Sequence, residues 1–200
     1  MADAAQHWNA VYESKSVEDV SWFESSPAVS VRLICDASDE RCRVVDVGAG
    51  ASTLADALVA REFDVTVLDV SEASLALVRD RLGDEIAYVV SDVLAWHPQQ
   101  QFDVWHDRAV FHFLTDPQAR QQYGARARAA LAPGGVLVVG TFALDGPTAC
   151  SGLPTERYDV DALTSAFAEG FVPEHHERVE HSTPWGSIQP FTWVVMRRVV

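Results

Sequence analysis

The segment VVDVGAGAS, residues 44–52, constrains the fold of this chain more than any other stretch. Valines around a carboxylate lead into a turn with two glycines, Gly48 and Gly50, and a helix-forming sequence follows. Because glycine has no Cβ, such a turn lets a ligand approach the carboxyl end of a strand closely. Thr53 stands where a dinucleotide-binding turn has its third glycine, and Asp46 would repel a pyrophosphate. The turn therefore favours a cationic, amine-bearing ligand.

Strand and helix patterns alternate from about residue 43 onward. Apolar strands separated by helices are typical of a parallel sheet covered on both faces, and two late strands without a helix between them indicate an antiparallel pair. We expect an α/β fold with a doubly wound, Rossmann-like sheet, mostly parallel, with one antiparallel C-terminal strand and strand order 3-2-1-4-5-7-6. The first five strands are predicted at residues 43–47, 65–70, 86–90, 102–107 and 136–142.

The length and composition suit one well-buried domain. Two hundred residues with 48% hydrophobic content are too few for two such domains. Helices are predicted near residues 4–13 and 27–38, ahead of the first strand. We expect a single domain over residues 1–200, with an N-terminal helical lid at 1–40 and an α/β core at 41–200.

Charge and cysteine content narrow the environment. The net charge of −14 argues against a nucleic-acid or anionic-membrane partner. No apolar run approaches the ~20 residues of a membrane span, and no secretory signal is visible. Cys35, Cys42 and Cys150 lack CxxC spacing, which is typical of reduced thiols. We expect a cytoplasmic protein, either a monomer or a homodimer.

Carboxylates recur at the ends of the predicted strands, where ligands bind in an open α/β sheet. Asp69 lies roughly 20 residues past the glycine turn, the place where an acidic side chain binds ribose hydroxyls. Capping of the next helix or turn is the competing role for Asp69 and Asp92. A shared anionic rim would suit a neutral or cationic ligand. The four strand-end carboxylates are Asp46, Asp69, Asp92 and Asp107.

Five segments, in order, resemble the motifs of the class I S-adenosylmethionine-dependent methyltransferases. VVDVGAG is similar to their motif I, VTVLDVS to their second-strand acid, SDVLAW to their adenine-contacting acid, FDVWHDRAVFHFL to motif IV, and LAPGG to the turn before strand five. This resemblance covers about residues 43–142. More loosely, HWNAVYESKSVEDVSWFESSP resembles the N-terminal segment of elongation-factor lysine methyltransferases and small bacterial relatives. Ser52 departs from the pattern, since many relatives have a third glycine there.

The resemblance implies S-adenosyl-L-methionine as the cofactor. Its sulfonium favours nearby carboxylates and aromatic faces. Gly48 and Gly50 would admit the methionine and ribose portions, with Asp46 near the amine. Arg108 or its backbone lies where relatives contact the methionine end.

The adenosine half is assigned by the same resemblance. Asp69 would accept hydrogen bonds from the ribose hydroxyls, with Val70 packing on the adenine. Asp92 would bind the adenine amino group, with help from the backbone of Val93.

Aromatic residues of the N-terminal extension are further cofactor candidates. Trp8 and Tyr12 lie four residues apart on one helical face, and the resemblance implies that they close over the cofactor. Trp22 is a similar candidate in the following segment. This makes residues 1–25 a lid that becomes ordered on binding. Ordinary core packing is an equally good explanation for the stripe on the helix.

Methyl transfer mainly requires that the nucleophile be positioned, and a base is needed only if the nucleophile arrives protonated. Asp107 or His112 could be that base, although a structural role is the alternative for His112. The acceptor is a small molecule or a protein lysine, and a partly apolar or aromatic pocket is expected to receive it. The pocket residues predicted are Phe111, Phe113, Trp185 and Phe191.

Two other functions compete with methyl transfer. An NAD-dependent Rossmann oxidoreductase would share Asp69, but the missing third glycine and Asp46 count against it. A non-catalytic adenosylmethionine-binding module would not need every strand-end carboxylate. No metal is expected, because the adjacent strand residues His175 and His176 point to opposite faces. For Cys150, a flexible substrate rim is favoured over a nucleophile.

Overall fold

The structure, a computed structural model, describes residues 2–199. Nine strands occur within these residues, and seven of them form one sheet. In chain order the strands are β1 (Arg43–Val47), β2 (Asp64–Asp69), β3 (Ala87–Val90), β4 (Phe102–Arg108), β5 (Leu131–Phe142), β6 (Ala149–Cys150), β7 (Leu153–Pro154), β8 (Phe171–Ser182) and β9 (Ile188–Arg198).

The seven-stranded sheet has the order β3-β2-β1-β4-β5-β9-β8. Strands β1 to β5 pair in parallel, and β9 runs antiparallel to both β5 and β8. Numbered by chain position within the sheet, this is the order 3-2-1-4-5-7-6 with one antiparallel strand, so the predicted fold is confirmed. The two-residue strands β6 and β7 pair with each other in the loop after β5, and the sequence analysis did not foresee them.

Helices flank the sheet and form the N-terminal extension. Two single-turn 3-10 helices lie at Val17–Asp19 and Phe111–Phe113. The α-helices described are α1 (Ala2–Ser14), α2 (Ala28–Ala37), α3 (Leu54–Val59), α4 (Glu72–Leu82), α5 (Pro117–Ala130) and α6 (Val160–Ala166).

Local sequence signals account for the helix that follows each of the first two strands. Ser71 caps α4, because its hydroxyl accepts a hydrogen bond from the Ser74 N–H at 3.1 Å. Gly83, with a φ of +55°, ends that helix. At α3 the cap position belongs to Thr53, and the Ser52 hydroxyl accepts from the Leu54 N–H at 3.1 Å from one residue further out.

Both faces of the sheet are covered. Val44 and Val104 belong to the core cluster that includes apolar side chains of α2, α3 and α4. Val45 and Trp105, the next residues along the same strands, belong to the cluster that includes α5 and α6. Because side chains alternate across a strand and both sides are buried, these strands are apolar almost throughout. The carboxyl ends of the strands remain as the edge open to a ligand.

Within residues 2–199 no helix has the length and apolar content needed to cross a bilayer. Helices α1 and α2 both fall in the predicted extension, ahead of the first strand. The division into a lid at 1–40 and a core at 41–200 of one domain stays a prediction, as does the cytoplasmic location.

Candidate ligand-binding site

A cavity of about 560 Å³ lies at the carboxyl ends of β1, β2 and β4 and is also lined by residues of the N-terminal extension. Ten of the eleven predicted cofactor-binding residues line it, which brings together positions more than 80 residues apart in sequence. The ten are Trp8, Tyr12, Trp22, Asp46, Gly48, Asp69, Val70, Asp92, Val93 and Arg108.

The two glycines of the turn after β1 form a cradle with no room for side chains. Gly48 has a φ of +65°, and a Cβ at this residue would lie 1.9 Å from Cγ2 of Val110. Gly50, the eleventh predicted residue, has a φ of +54°, and its Cβ would lie 2.3 Å from the Tyr12 hydroxyl. Both positions therefore require glycine for backbone conformation and for space.

Asp69 ties two turns together beneath the cavity. Its Oδ2 accepts a hydrogen bond from the Gly50 N–H and its Oδ1 one from the Ser71 N–H, both at 2.8 Å. Burial raises the pKa of this carboxyl to about 6, against the two backbone hydrogen bonds, which act in the opposite direction. Each carboxylate oxygen can accept a second hydrogen bond. The Asp69 side chain can therefore bind the two backbone N–H groups and still accept a hydrogen bond from a ligand hydroxyl.

The two carboxylate oxygens of Asp92 also differ in their hydrogen-bond partners. Its Oδ1 accepts a hydrogen bond from the Leu94 N–H at 2.8 Å, which is the turn-stabilising role considered from the sequence. No residue in the described part of the chain donates to its Oδ2. With Val70 and Val93 beside it in the cavity wall, this arrangement suits a flat apolar ring with an amino group at its edge.

Asp46 forms a buried pair with His106. The two residues stand opposite each other in the β1–β4 register, and the His106 Nδ1 lies 2.7 Å from the Asp46 Oδ1. This partnership cannot be read from the sequence, because it depends on the register between the two strands. Both residues line the cavity.

Aromatic side chains of the extension pack together at the cavity. Trp8 meets Trp22 and Phe113 edge to face, with ring centroids 5.6 and 5.4 Å apart. The Trp22 Nε1–H donates to the Tyr12 hydroxyl at 3.2 Å. Core packing and contact with a cofactor, the two explanations offered for these residues from the sequence, are therefore compatible. The side chains pack on one another and also line the cavity.

Hydrogen bonds join the N-terminal extension to the core around the cavity. The Asn9 Oδ1 accepts hydrogen bonds from the Ser71 hydroxyl and the Ala73 N–H, at 2.8 and 3.2 Å. Arg108 Nη1 donates to the Trp22 carbonyl at 2.9 Å. The His181 Nε2 lies 2.6 Å from the carbonyl of Ser21. The fastening points lie on α4, β4 and β8, around the cavity.

Comparison with known proteins agrees with this geometry. Residues 44–135, which include the glycine turn and the strand-end carboxylates Asp46, Asp69 and Asp92, match the methyltransferase domain family. Over this segment the chain is similar to S-adenosylmethionine-dependent methyltransferases. The trans-aconitate 2-methyltransferase of Variovorax paradoxus (strain S110) is 38% identical to it over 103 residues, which are 50% of this chain and 38% of that protein. The thiocyanate methyltransferase 1 of Arabidopsis thaliana is 26% identical over 182 residues, covering 82% and 76% of the two chains.

A solved structure supports the fold over the whole length of the chain. The Burkholderia thailandensis 1,6-didemethyltoxoflavin-N1-methyltransferase, with bound 1,6-didemethyltoxoflavin and S-adenosylhomocysteine, has a TM-score of 0.74 and 21% identity, covering 100% of this chain and 85% of that one. The chain spans well under two thirds of the length of two curated relatives that it matches. The resemblance to the elongation-factor lysine methyltransferase subgroup stays a prediction.

The two predicted catalytic residues do not line the cavity. The Asp107 carboxylate is fully buried and accepts hydrogen bonds from the N–H groups of Val110 and Phe111 and from the Tyr123 hydroxyl. These contacts hold the loop after β4 in place. Asp107 therefore has a structural position, and its role as a proton acceptor stays a prediction.

His112 is likewise buried away from the cavity. Its ring stacks on Phe142 with centroids 4.4 Å apart, and burial lowers its pKa to about 3. The imidazole is neutral and packed in the core, which agrees with the structural alternative, and the role of His112 as a catalytic base stays a prediction.

The predicted acceptor pocket is correct in part. Phe113 and Phe191 line the cavity. Phe111 is fully buried against Tyr123 and Phe167 instead, and Trp185 is 60% exposed on the β8–β9 hairpin. Sequence alternation cannot separate these aromatic residues, because the 3-10 turn at 111–113 sends neighbouring rings in different directions. No group of three or more metal-type side chains within residues 2–199 is arranged to hold an ion.

Proposed function

We propose that this protein transfers a methyl group from S-adenosyl-L-methionine to a small-molecule acceptor. The observation that carries the proposal is the single cavity in which Asp46, Asp69 and Asp92 meet the glycine turn. Bound adenosylmethionine would supply an electrophilic methyl group on a sulfonium centre. A positively charged ligand fits a wall with three carboxylates better than a pyrophosphate does.

The chain's own residues would bind and orient the two reactants. Gly48 and Gly50 let Val110 and Tyr12 pack directly against the turn, Asp69 and Asp92 each offer a free acceptor position for adenosine, and Asp46 offers one for an ammonium group. Proximity and alignment supply most of the acceleration in a displacement of this type. A polar side chain that accepts the acceptor's proton is not part of the proposal.

The remaining wall of the cavity supports a small acceptor. It is mainly apolar, with Phe113, Phe142 and Phe191 supplying aromatic surface. Residues 17–24 of the lid bound the same space, so an acceptor would be enclosed between the lid and the sheet. The relatives named above act on small molecules by their names, which agrees with an enclosed pocket.

Titration calorimetry with adenosylmethionine, adenosylhomocysteine and NAD tests the cofactor. We expect both sulfur compounds to bind and NAD to give no heat of binding. Binding of NAD without adenosylhomocysteine would indicate an oxidoreductase and overturn the proposal. An acceptor screen with methyl-labelled adenosylmethionine then tests the reaction, using small thiols, carboxylates and aromatic amines beside lysine-containing proteins. Label found only in protein would contradict the small-molecule acceptor.

Cofactor affinity should depend on pH through Asp69. Its pKa of about 6 means that the carboxylate gains a proton as the pH falls through that value, and a neutral carboxyl accepts ribose hydroxyls less well. The affinity for adenosylhomocysteine is therefore expected to be constant above pH 7 and to decline between pH 6.5 and pH 5. In Asp69→Asn, which cannot ionise, affinity should be lower and this step should be absent. Equal pH profiles for the two proteins would refute the assignment.

Hydrogen exchange tests the lid. Its aromatic residues line the cavity, so a bound cofactor would hold them in place and slow local opening. We expect adenosylhomocysteine to slow amide exchange at residues 8–24 severalfold, while α6, which does not line the cavity, changes little. Asn9→Ala removes one fastening point and should raise exchange in α1 in the absence of ligand. Exchange that is the same with and without ligand would show that the lid hypothesis is wrong.

A further inference from the structure

Asp46 and His106 form a hydrogen-bonded pair that is almost completely buried beside the cavity. Asp46 is 3% exposed and His106 is 2% exposed, and one carboxylate oxygen and one imidazole nitrogen are only 2.7 Å apart. An ionised carboxylate can only accept hydrogen bonds, so the Nδ1 atom carries the proton that joins them. A buried carboxylate is costly unless it is hydrogen-bonded, and His106 meets that requirement for one oxygen.

The other oxygen of Asp46 remains available. No residue between 2 and 199 donates a hydrogen bond to its Oδ2, and none bonds to the Nε2 of His106. The nearby cation Arg108 is engaged elsewhere, with its Nη1 on the Trp22 carbonyl and its Nη2 3.3 Å from the Glu24 carboxylate. Asp46 therefore has one oxygen fixed by His106 and one without a protein partner in a residue that lines the cavity.

Packing against a neighbouring indole holds the His106 ring in place. It packs against Trp193 of β9, with centroids 6.0 Å apart and planes 30° from parallel. Trp193 fits there because the neighbouring strand has Gly140, where a Cβ would lie 2.6 Å from the indole. The imidazole is thus supported by an indole that only a glycine accommodates, which restricts its rotation.

We propose that His106 is a positioning residue, which holds the Asp46 carboxylate so that its Oδ2 receives the α-ammonium group of the cofactor's methionine moiety. The proposal rests on adenosylmethionine as the cofactor. An ammonium donor would supply the charge-assisted hydrogen bond that this oxygen lacks within the protein. A carboxylate free to rotate would have to be ordered on binding, and its pairing with His106 removes that cost in advance.

Two ligands and two variants distinguish the positioning of Asp46 by His106 from a general structural role of His106 and from an effect of its Nε2 atom. Adenosylhomocysteine and 5′-methylthioadenosine share the adenosine and the sulfur atom, but only the first has the ammonium group. His106→Leu removes the donor to Asp46, while His106→Asn keeps an N–H close to the position of Nδ1. By calorimetry, the leucine variant should bind adenosylhomocysteine about tenfold or more weakly, and methylthioadenosine as the wild type does. The asparagine variant should bind both nearly as well as the wild type.

Each other outcome has a definite meaning. Equal weakening of both ligands in the leucine variant would show a general structural role and overturn the proposal. If His106→Asn weakened adenosylhomocysteine binding as much as His106→Leu does, the effect would belong to the Nε2 atom of His106. This result would also overturn the proposal. Failure of the wild type to bind adenosylhomocysteine would refute the proposed function itself.

If the leucine variant does not fold, the wild-type protein provides the test by NMR. The hydrogen-bonded Nδ1 proton of His106 should shift on addition of adenosylhomocysteine and stay in place with methylthioadenosine. Shifts of equal size with the two ligands would contradict the positioning role.

Discussion

Replacement of Gly50 by valine is expected to abolish binding of adenosylhomocysteine while the protein remains folded. The φ of +54° is strained for any residue with a Cβ and most of all for a β-branched one. The new Cβ would also lie 2.3 Å from the Tyr12 hydroxyl, which is the far end of a long side chain and can move away. Valine would then occupy space at the glycine turn and displace an aromatic wall residue. Calorimetry should show no measurable affinity.

Gly83→Val is the matched control for backbone strain. Gly83 has nearly the same φ, +55°, but a Cβ there meets nothing within 4 Å, and the residue does not line the cavity. This variant should lose thermal stability and keep its cofactor affinity. A folded Gly50→Val protein with unaltered affinity would refute the assignment of the cleft. Tyr12→Ala adds a second comparison, since it would reproduce the loss only if displacement of the tyrosine were the cause.

The path of the chain could be read largely from its sequence. Runs such as VTVLDV are apolar because both faces of the sheet are buried, and Ser71 and Gly83 bound a helix by capping chemistry that acts within a few residues. Glycines at positive φ and carboxylates at strand ends are also local features. The cofactor assignments that rested on such features lie together at one cavity.

Features that depend on contacts between distant residues could not be predicted in this way. Asp107 resembles the other strand-end carboxylates in sequence, yet it faces the core, where Tyr123 of α5 meets it. The bond between His106 and Asp46 could not be predicted either, because it requires the β1–β4 register. Both cases have the same physical origin, since strand periodicity does not indicate which helix or strand covers a given side chain.

Asp69→Ala is expected to weaken adenosylhomocysteine binding about a hundredfold or more. The variant would lose the proposed acceptor for the ribose hydroxyls, and each charge-assisted hydrogen bond contributes roughly 1.5–3 kcal/mol at most. It also leaves the Gly50 and Ser71 N–H groups, now bound at 2.8 Å, without their side-chain partner, so the glycine turn should loosen. Asp64→Ala, an exposed carboxylate at the start of the same strand, should leave the affinity unchanged.

A double comparison separates the ribose contact from the loosening of the turn. The affinities of wild type and Asp69→Ala are measured for adenosylhomocysteine and for its 2′,3′-dideoxy analogue. If Asp69 contacts the ribose, loss of the two hydroxyls should cost the wild type at least tenfold and the variant little, because the partner is already gone. Equal losses in both proteins would mean that Asp69 only supports the turn. The ratio of the wild-type and Asp69→Ala affinities for the dideoxy analogue then measures the contribution of the turn alone, since this ligand cannot make the ribose contact with either protein.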